Sequence, residues 1–558
     1  MEKFKKILPH LIILLGAVIV SIPLLLKNLN IYQDDGVQHI CRLIGTWQTL
    51  QEGQFLPMIM SKYLNGFGYS WNIFYSPLTA YAPLLFKIFN ISFVNSFKLF
   101  LFVVTYLSGL AMYKCTLSFL NKDDERSKII ASFSAILYMF APYRLTDMYI
   151  RMAVSELTSF IFIPIIFEGL NNILSKNEKS YKLAWGTIGL ILTHTVVTMY
   201  MAIICFIYVA IVIIFKIKNK ESVKKQIIEI IKNLVFALVV TSFYLVPLVE
   251  HYFATSYEVF VPGRMQRIDV LKALKVKFHE LFLTTSSQTM IYEIGLAQVV
   301  GLIITPFIYK KLYKKLKVTY TTFLVLGVML LAMTLTIFPF EKLPSFLTMI
   351  QFTFRLLEFT AFFFSFIVAV NYGTILKGFN IKDLIVLSLI VVLLTTVYTS
   401  KLKWELPYDE QTLAQNPKTL TSQTGRVHAG MASMEYMPSK MFNNKNYVVN
   451  RKDEPVIVNS NKTTIKSYEK NDSKLKIKLE NVEAGTVIEL PYTYYLGYRI
   501  YENGKEIKYT ESDYGFVQIT LSKDGDVTIE SKYLGTNAML ISFAVSVIRN
   551  NFINNIRY

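Results

Sequence analysis

Two adjacent carboxylates, Asp34 and Asp35, follow the first apolar stretch in Tyr32-Gln33-Asp34-Asp35-Gly36-Val37-Gln38-His39, and Arg42 comes shortly after. Carboxyl groups this close raise one pKa of the pair, and a positioned carboxylate or imidazole can take the proton of an acceptor hydroxyl. The competing role is a helix N-cap, common for Asp. A second polar segment, Pro142 to Glu156, carries Arg144 and Arg151 with Asp147 and Glu156 between apolar runs. Guanidinium groups suit phosphate, and the alternatives are snorkelling to lipid phosphate or pairing with the two carboxylates. Arg151 and Glu156 are five apart, a spacing that does not share a helix face. His194 and His251 stand at expected outer ends of spans, where a satisfied interface residue is the commoner role. Arg355 lies beside Glu358, so it contacts phosphate or forms an ion pair.

These residues must be positioned by membrane helices. Of the 558 residues, 53% are apolar and 17% charged, and 58 Lys+Arg against 39 Asp+Glu leave a net charge of +19. Mean hydropathy is +0.39. Repeated apolar runs make a bilayer the relevant solvent and exclude an ordinary soluble, disordered or fibrous chain. Lys and Arg crowd into 122–128, 176–182, 216–232, 310–317, 377–382 and the tail, which the positive-inside rule places in the cytoplasm. The expected spans are 8–26, 95–119, 129–142, 153–173, 182–194, 197–215, 233–249, 294–309, 319–339, 356–376, 383–400 and 534–548, about twelve crossings with both termini inside. Residues 77–93 break this parity if they cross, and are read as an interfacial or re-entrant helix. The first span is read as uncleaved, because no small-residue cleavage site precedes Asn28.

The chain therefore divides into a transmembrane domain over 1–400 with an outer loop at 27–94, an extracytoplasmic β-rich domain over 401–533, and a final helix with a cytoplasmic tail over 534–558. The β region is nearly balanced in charge and alternates apolar with polar, as in Lys474 to Leu479. Asn503-Gly504 signals a two-residue type I′ hairpin. The fold class is mostly α, with a small all-β sandwich outside the cell.

Outer residues 262–280 carry Arg264, Arg267, Lys272, Lys275 and Lys277 against the positive-inside trend. An anionic lipid-linked substrate or attraction to anionic headgroups accounts for them equally well. Cys41, Cys115 and Cys205 are too few and scattered for a disulfide framework or a zinc cluster. No Walker A, dinucleotide-binding, HExxH or G-x-S-x-G motif is present, and the dispersed basic loops argue against nucleic acid.

The segments from Asp34 to Arg42, Gly66-Phe67-Gly68 to Tyr75-Ser76-Pro77-Leu78, Pro142-Tyr143-Arg144 to Glu156, Phe243-Tyr244-Leu245-Val246-Pro247 and Gln351-Phe352 with Arg355 carry a resemblance, extended by Glu435-Tyr436-Met437-Pro438 and Leu490-Pro491-Tyr492 to Asn503-Gly504. The chain resembles the bacterial membrane proteins of YfhO type, also labelled 6-pyruvoyl-tetrahydropterin synthase-related, of the GT-C glycosyltransferase superfamily. The resemblance implies a membrane enzyme that moves a sugar from a polyprenyl-phosphate donor to a cell-envelope acceptor on the outer face of a bacterial membrane. The acceptor class is a wall polymer such as teichoic acid, or a glycolipid. Asp34 or Asp35 would then be the general base. Arg151, with Arg144 and Arg355, would hold the donor phosphate, and His39, Arg42, Glu156, His194 and His251 would complete the substrate site. Asp34-Asp35 is not the spaced Asp-x-Asp with which some such enzymes hold a metal, so no cofactor is assigned and a divalent cation stays open.

Two rivals remain. A transporter or flippase of lipid-linked saccharide should place charges near mid-span, where the expected spans have few, Glu168 being the exception. A non-catalytic envelope assembly protein on the same scaffold differs from the transferase only in activity.

Overall fold

The computed structural model describes residues 2–26, 35–54, 56, 58–264, 268–283, 290–312, 314–376, 378–399 and 434–554. Asp34 and Arg267 lie outside the described residues, as does the whole segment from 401 to 433. The helices run α1 Glu2–Leu26, α2 Gly36–Gln51, α3 Leu78–Tyr81, α4 Leu84–Lys87, α5 Phe93–Leu120, α6 Glu125–Met139, α7 Pro142–Tyr149, α8 Val154–Leu174, α9 Lys182–Ile191, α10 Thr195–Lys218, α11 Lys224–Val240 and α12 Ser242–Ala254. Then come α13 Ile268–Ala273, α14 Leu296–Ile303, α15 Thr305–Tyr309, α16 Lys314–Thr334, α17 Ser345–Thr348, α18 Leu357–Ile375 and α19 Ile381–Thr399. Two short helices, α20 Ser439–Asn443 and α21 Lys445–Asn450, precede nine strands, and α22 Asn537–Asn554 follows them.

Local chemistry sets these boundaries. Ser92 accepts a hydrogen bond from Asn95 N–H at the start of α5, and Asn121 ends it in the left-handed conformation at φ 52°. The Asp124 carboxylate caps α6 through Ser127 N–H at 2.7 Å. The expected span at 129–142 breaks at Phe140 and resumes at Pro142, whose ring is tolerated at a helix start, with a 44° bend between α6 and α7. The span expected at 182–194 is helical only to Ile191, and His194 caps the next helix. That at 294–309 is two short helices, the second opening on Thr305-Pro306. Residues 77–93 hold no continuous helix, only α3 and α4 on either side of Pro83.

Where about twelve crossings are expected, six described helices are long and apolar enough to cross a membrane, or up to eight if each bent pair is one span. The six stretches are Ile7–Leu24, Phe93–Leu120, Val154–Leu174, Thr195–Lys218, Leu316–Thr334 and Thr353–Ile375.

The chain divides into two compact units. The first comprises Met1–Gly36, Leu85–Leu238 and Gln266–Pro407. Its helices pack α5 against α6 and α8, and α18 against α6 and α16. The core there is aromatic: Phe167 and Phe362 stack at 4.8 Å, with Phe323 and Phe363 closing around them. Burying such rings is the largest apolar contribution available to a helical layer.

The second unit joins Val37–Leu84, Val239–Met265 and Tyr408–Tyr558. Its strands form two antiparallel sheets, β1-β4-β8-β7 and β2-β3-β9-β5-β6. Here β1 is Val456–Ile457, β2 Thr464–Asn471, β3 Lys474–Val482, β4 Val487–Thr493, β5 Tyr498–Glu502, β6 Lys505–Ile507, β7 Thr510–Glu511, β8 Phe516–Thr520 and β9 Gly525–Tyr533. Leu475, Ile477 and Leu479 alternate inward along β3, as its sequence pattern requires. Glu502 pairs with Lys505 across Asn503-Gly504, both at positive φ, which is the expected two-residue hairpin. The loop at 66–68 is knitted to these sheets: Thr493 N–H donates to Phe67 O at 2.9 Å and its hydroxyl to Gly68 O at 2.7 Å.

Candidate functional site

In the first unit, the turn between α7 and α8 gathers the charges. Arg151 N–H donates to Thr146 O at 2.8 Å and Ala153 N–H to Asp147 O at 2.9 Å, folding the chain back over the end of α7. Met152 takes up the reversal at φ 52°, a left-handed conformation costing a non-glycine residue about 1–2 kcal/mol. Arg151 and Glu156 share no helix face, as their five-residue spacing requires. Arg151 and Glu156 meet because the backbone between them reverses, outside any helical periodicity.

Arg151 is the hub. Its Nη1 donates to Asp147 Oδ1 at 2.6 Å and to the Tyr143 hydroxyl at 3.0 Å, and it forms an ion pair with Glu156. Arg355 reaches Glu156 from the segment leading into α18, while its Nη1 donates to Ile350 O at 2.8 Å and Gln351 Oε1 at 2.7 Å. Arg355 thus pairs with Glu156, not with Glu358 as its sequence neighbour suggests. Glu358 instead accepts from the Ser159 hydroxyl. His194 Nδ1 accepts from Val197 N–H at 3.2 Å, within electrostatic range of Glu156, Arg151 and Arg355.

The network is closed. Asp147 and Glu358 are 0% exposed, Glu156 1%, Arg151 3% and Arg355 8%. Two stacked rings, Phe352 and Phe354 at 5.0 Å, cover it, with the Arg151 guanidinium 5.2 Å from Phe354 and that of Arg355 5.0 Å from Phe352. Three carboxylates face two guanidiniums, so both cations are committed to protein partners. Asp147 Oδ2 and Glu358 Oε2 have no hydrogen-bond partner among the described residues.

Asp35 lies alongside. Its backbone N–H donates to the carbonyl oxygen of Arg151 at 3.1 Å, and the residue is only partly buried. The other expected site residues are elsewhere. Arg144 points away from the network, donating to Met139 O at 3.2 Å and Thr105 Oγ1 at 2.9 Å. In the second unit, Arg42 is buried against the loop after Gly68, with Nη2 donating to Asn72 Oδ1, Tyr75 O and Ser76 O at 2.9–3.1 Å. His39 meets Tyr75 edge-on at 6.2 Å. His251 has both ring nitrogens engaged: Nδ1–H donates to Pro247 O at 2.7 Å and Nε2 accepts from Leu496 N–H at 3.1 Å. Among the outer cations, Arg264 pairs with Glu258 at 3.3 Å and Lys275 with Glu341 at 2.5 Å.

Sequence reasoning passed over Tyr143 and Ser159. The Tyr143 hydroxyl donates to Glu156 Oε2 at 3.1 Å and accepts from Arg151, and the Ser159 hydroxyl donates to Glu358, partners that no helical spacing in the sequence announces. Among the described residues, no three His, Cys, Asp or Glu side chains are arranged to hold a metal ion.

Long apolar helices with a buried ionisable network at their ends define a membrane protein. Residues 73–406, more than half of the chain, match the family described as 6-pyruvoyl-tetrahydropterin synthase related domain; membrane protein, and the chain belongs to that family. It is also similar to an uncharacterized protein of Lactococcus lactis subsp. cremoris (strain MG1363), 29% identical over 263 residues. That match covers 46% of this chain and 42% of the relative, so the chain spans less than half the length of the protein it matches.

Proposed function

We propose that the protein is a membrane glycosyltransferase that moves a sugar from a polyprenyl-phosphate donor to a cell-envelope glycopolymer or glycolipid, with Asp35 as the general base. The observation that carries this reading is the Asp35 N–H to Arg151 carbonyl bond. It fixes a partly exposed carboxylate residue against a buried, aromatic-covered network, and such fixed placement is what general-base catalysis needs. In this reading the network is the support of the site. Arg151 holds the turn that presents Asp35, and Arg355 meets the donor phosphate by exchanging its Glu156 contact. The acceptor hydroxyl gives its proton to Asp35 as its oxygen attacks the anomeric carbon, and the bond to the polyprenyl phosphate breaks with its electron pair on phosphate. In this reading the sheets of the second unit lie outside the cytoplasmic membrane.

The placement of the charges favours this over transport. Glu156 lies in the first turn of α8 and Glu358 in the first turn of α18, at helix ends and not at mid-span. The test uses purified protein in liposomes with radiolabelled polyprenyl-phosphate hexose and wall-polymer or glycolipid acceptor, comparing wild type with Asp34→Asn, Asp35→Asn and Arg355→Gln. Transfer lost in Asp35→Asn with donor binding kept supports the assignment. A wild type that transfers to none of these acceptors while moving donor between leaflets replaces it with a flippase.

A further inference from the structure

Four lysines, Lys114, Lys122, Lys176 and Lys182, line one cleft of about 510 Å3 in the first unit, with Ser118 and Glu168 in its wall. The carboxylates at the cleft are spoken for: Glu168 pairs with Lys182, and Asp123 pairs with Lys128 at 3.0 Å. Lys114 and Lys176 have no carboxylate partner among the described residues, so the cleft carries a net positive charge.

Basic loops at helix ends are ordinary in membrane proteins. Three features go beyond that. Lys114 stands six residues before the end of α5 and Glu168 six before the end of α8, so the cleft runs ~9 Å along the helices at 1.5 Å per residue. Its wall is built from buried polar groups. Asn171 Nδ2 donates to the Ser118 carbonyl and hydroxyl oxygens, both at 3.0 Å, and the Ser118 hydroxyl donates to Asn172 Oδ1 at 3.2 Å. Tyr181 and Trp185, 54% and 48% exposed, flank Lys182. Exposed Tyr and Trp at a helix end mark the depth of lipid headgroups.

We propose that this cleft binds the phosphate-bearing headgroup of an anionic lipid. Ammonium groups at Lys114 and Lys176 meet the phosphate as point charges, and the volume suits a headgroup-sized ligand. The site is separate from the Arg151 network, since Glu156 and Glu168 are ~18 Å apart along α8. It therefore stands whether or not the protein transfers sugar.

Native mass spectrometry of the full chain in detergent, titrated with phosphatidylglycerol or phosphatidylcholine, tests it. Wild type should retain phosphatidylglycerol in preference to phosphatidylcholine. The double variant Lys114→Gln/Lys176→Gln should bind it about tenfold more weakly or worse. Lys114→Arg/Lys176→Arg should restore binding, and Lys310→Gln/Lys311→Gln, outside the cleft, should leave it unchanged. If the double variant does not fold, Lys176→Gln alone carries the comparison, because that side chain lies in the loop after α8. Equal retention of both lipids, or no loss on removing the lysines, overturns the proposal. Glycerol 3-phosphate competing as strongly as the whole lipid overturns the lipid assignment in favour of a soluble phosphate.

Discussion

The backbone N–H of Asp35 donates to the carbonyl oxygen of Arg151 at 3.1 Å, joining residues more than a hundred positions apart. The bond is made by the main chain, so it does not use the Asp35 carboxylate. Placement of this residue and the proton transfer proposed for its carboxylate can therefore be tested separately.

Asp35→Asn should fold as wild type does and lose transfer by about 10²–10⁴-fold, the usual size of a general-base contribution. Transfer measured in liposomes, beside the thermal midpoint in detergent, reads both. An Asn variant with full activity removes Asp35 from the mechanism.

Glu156 and Glu358 should behave oppositely although both are buried. Glu156→Gln leaves Arg151 and Arg355 short of their shared partner, which costs about 3–5 kcal/mol when a buried pair loses one member. Glu358→Gln keeps an acceptor for Ser159 and removes a buried charge that forms no ion pair among the described residues, so stability should hold or rise. Chemical denaturation of the two variants side by side decides this, and equal losses would contradict the pairing described.

His251→Leu should cost about 1–3 kcal/mol, because Leu496 N–H loses its acceptor inside the aromatic cluster of the second unit. Transfer per folded molecule should be unchanged, since both ring nitrogens are spent on backbone groups. A large fall in transfer rate at equal folded fraction would instead return His251 to the substrate site.

Glu52, just past the end of α2, supplies a pH signature. Burial, opposed by hydrogen bonds from the Ser61 hydroxyl and reinforced by the nearby Asp472 carboxylate, raises its pKa to about 7. A carboxyl group whose folded pKa lies above its unfolded value binds its proton more tightly when folded. Its contribution is present in full below the ordinary carboxylate range and is lost as pH rises toward 7. The thermal midpoint should therefore fall between about pH 5 and 7.5 by more in wild type than in Glu52→Gln. Parallel pH profiles would show that Glu52 does not titrate in that window.

The sequence by itself determined the elements whose causes are local. Apolar runs specified membrane helices such as Phe93–Leu120 and Val154–Leu174, alternation specified the strands around Ile477, and Asn503-Gly504 specified its hairpin. Interruptions were harder to read. The run expected over 182–194 is helical only to Ile191, and helix resumes at Pro142, where the span expected over 129–142 ends, and runs on to Tyr149. Residue types also pointed to Arg151, Glu156 and Arg355, because charges between apolar runs stand out.

Their partners were beyond local reading. Arg151 meets Glu156 only because Met152 reverses the chain, and Arg355 meets Glu156 only because α18 packs in the same helical layer. Arg144 and Arg42 carry the same guanidinium yet are spent on backbone and amide oxygens. A residue's chemistry belongs to its type and is legible at once, whereas its partners depend on which helix faces touch. That is settled by burial of side chains distant in sequence, and only the tertiary structure decides it.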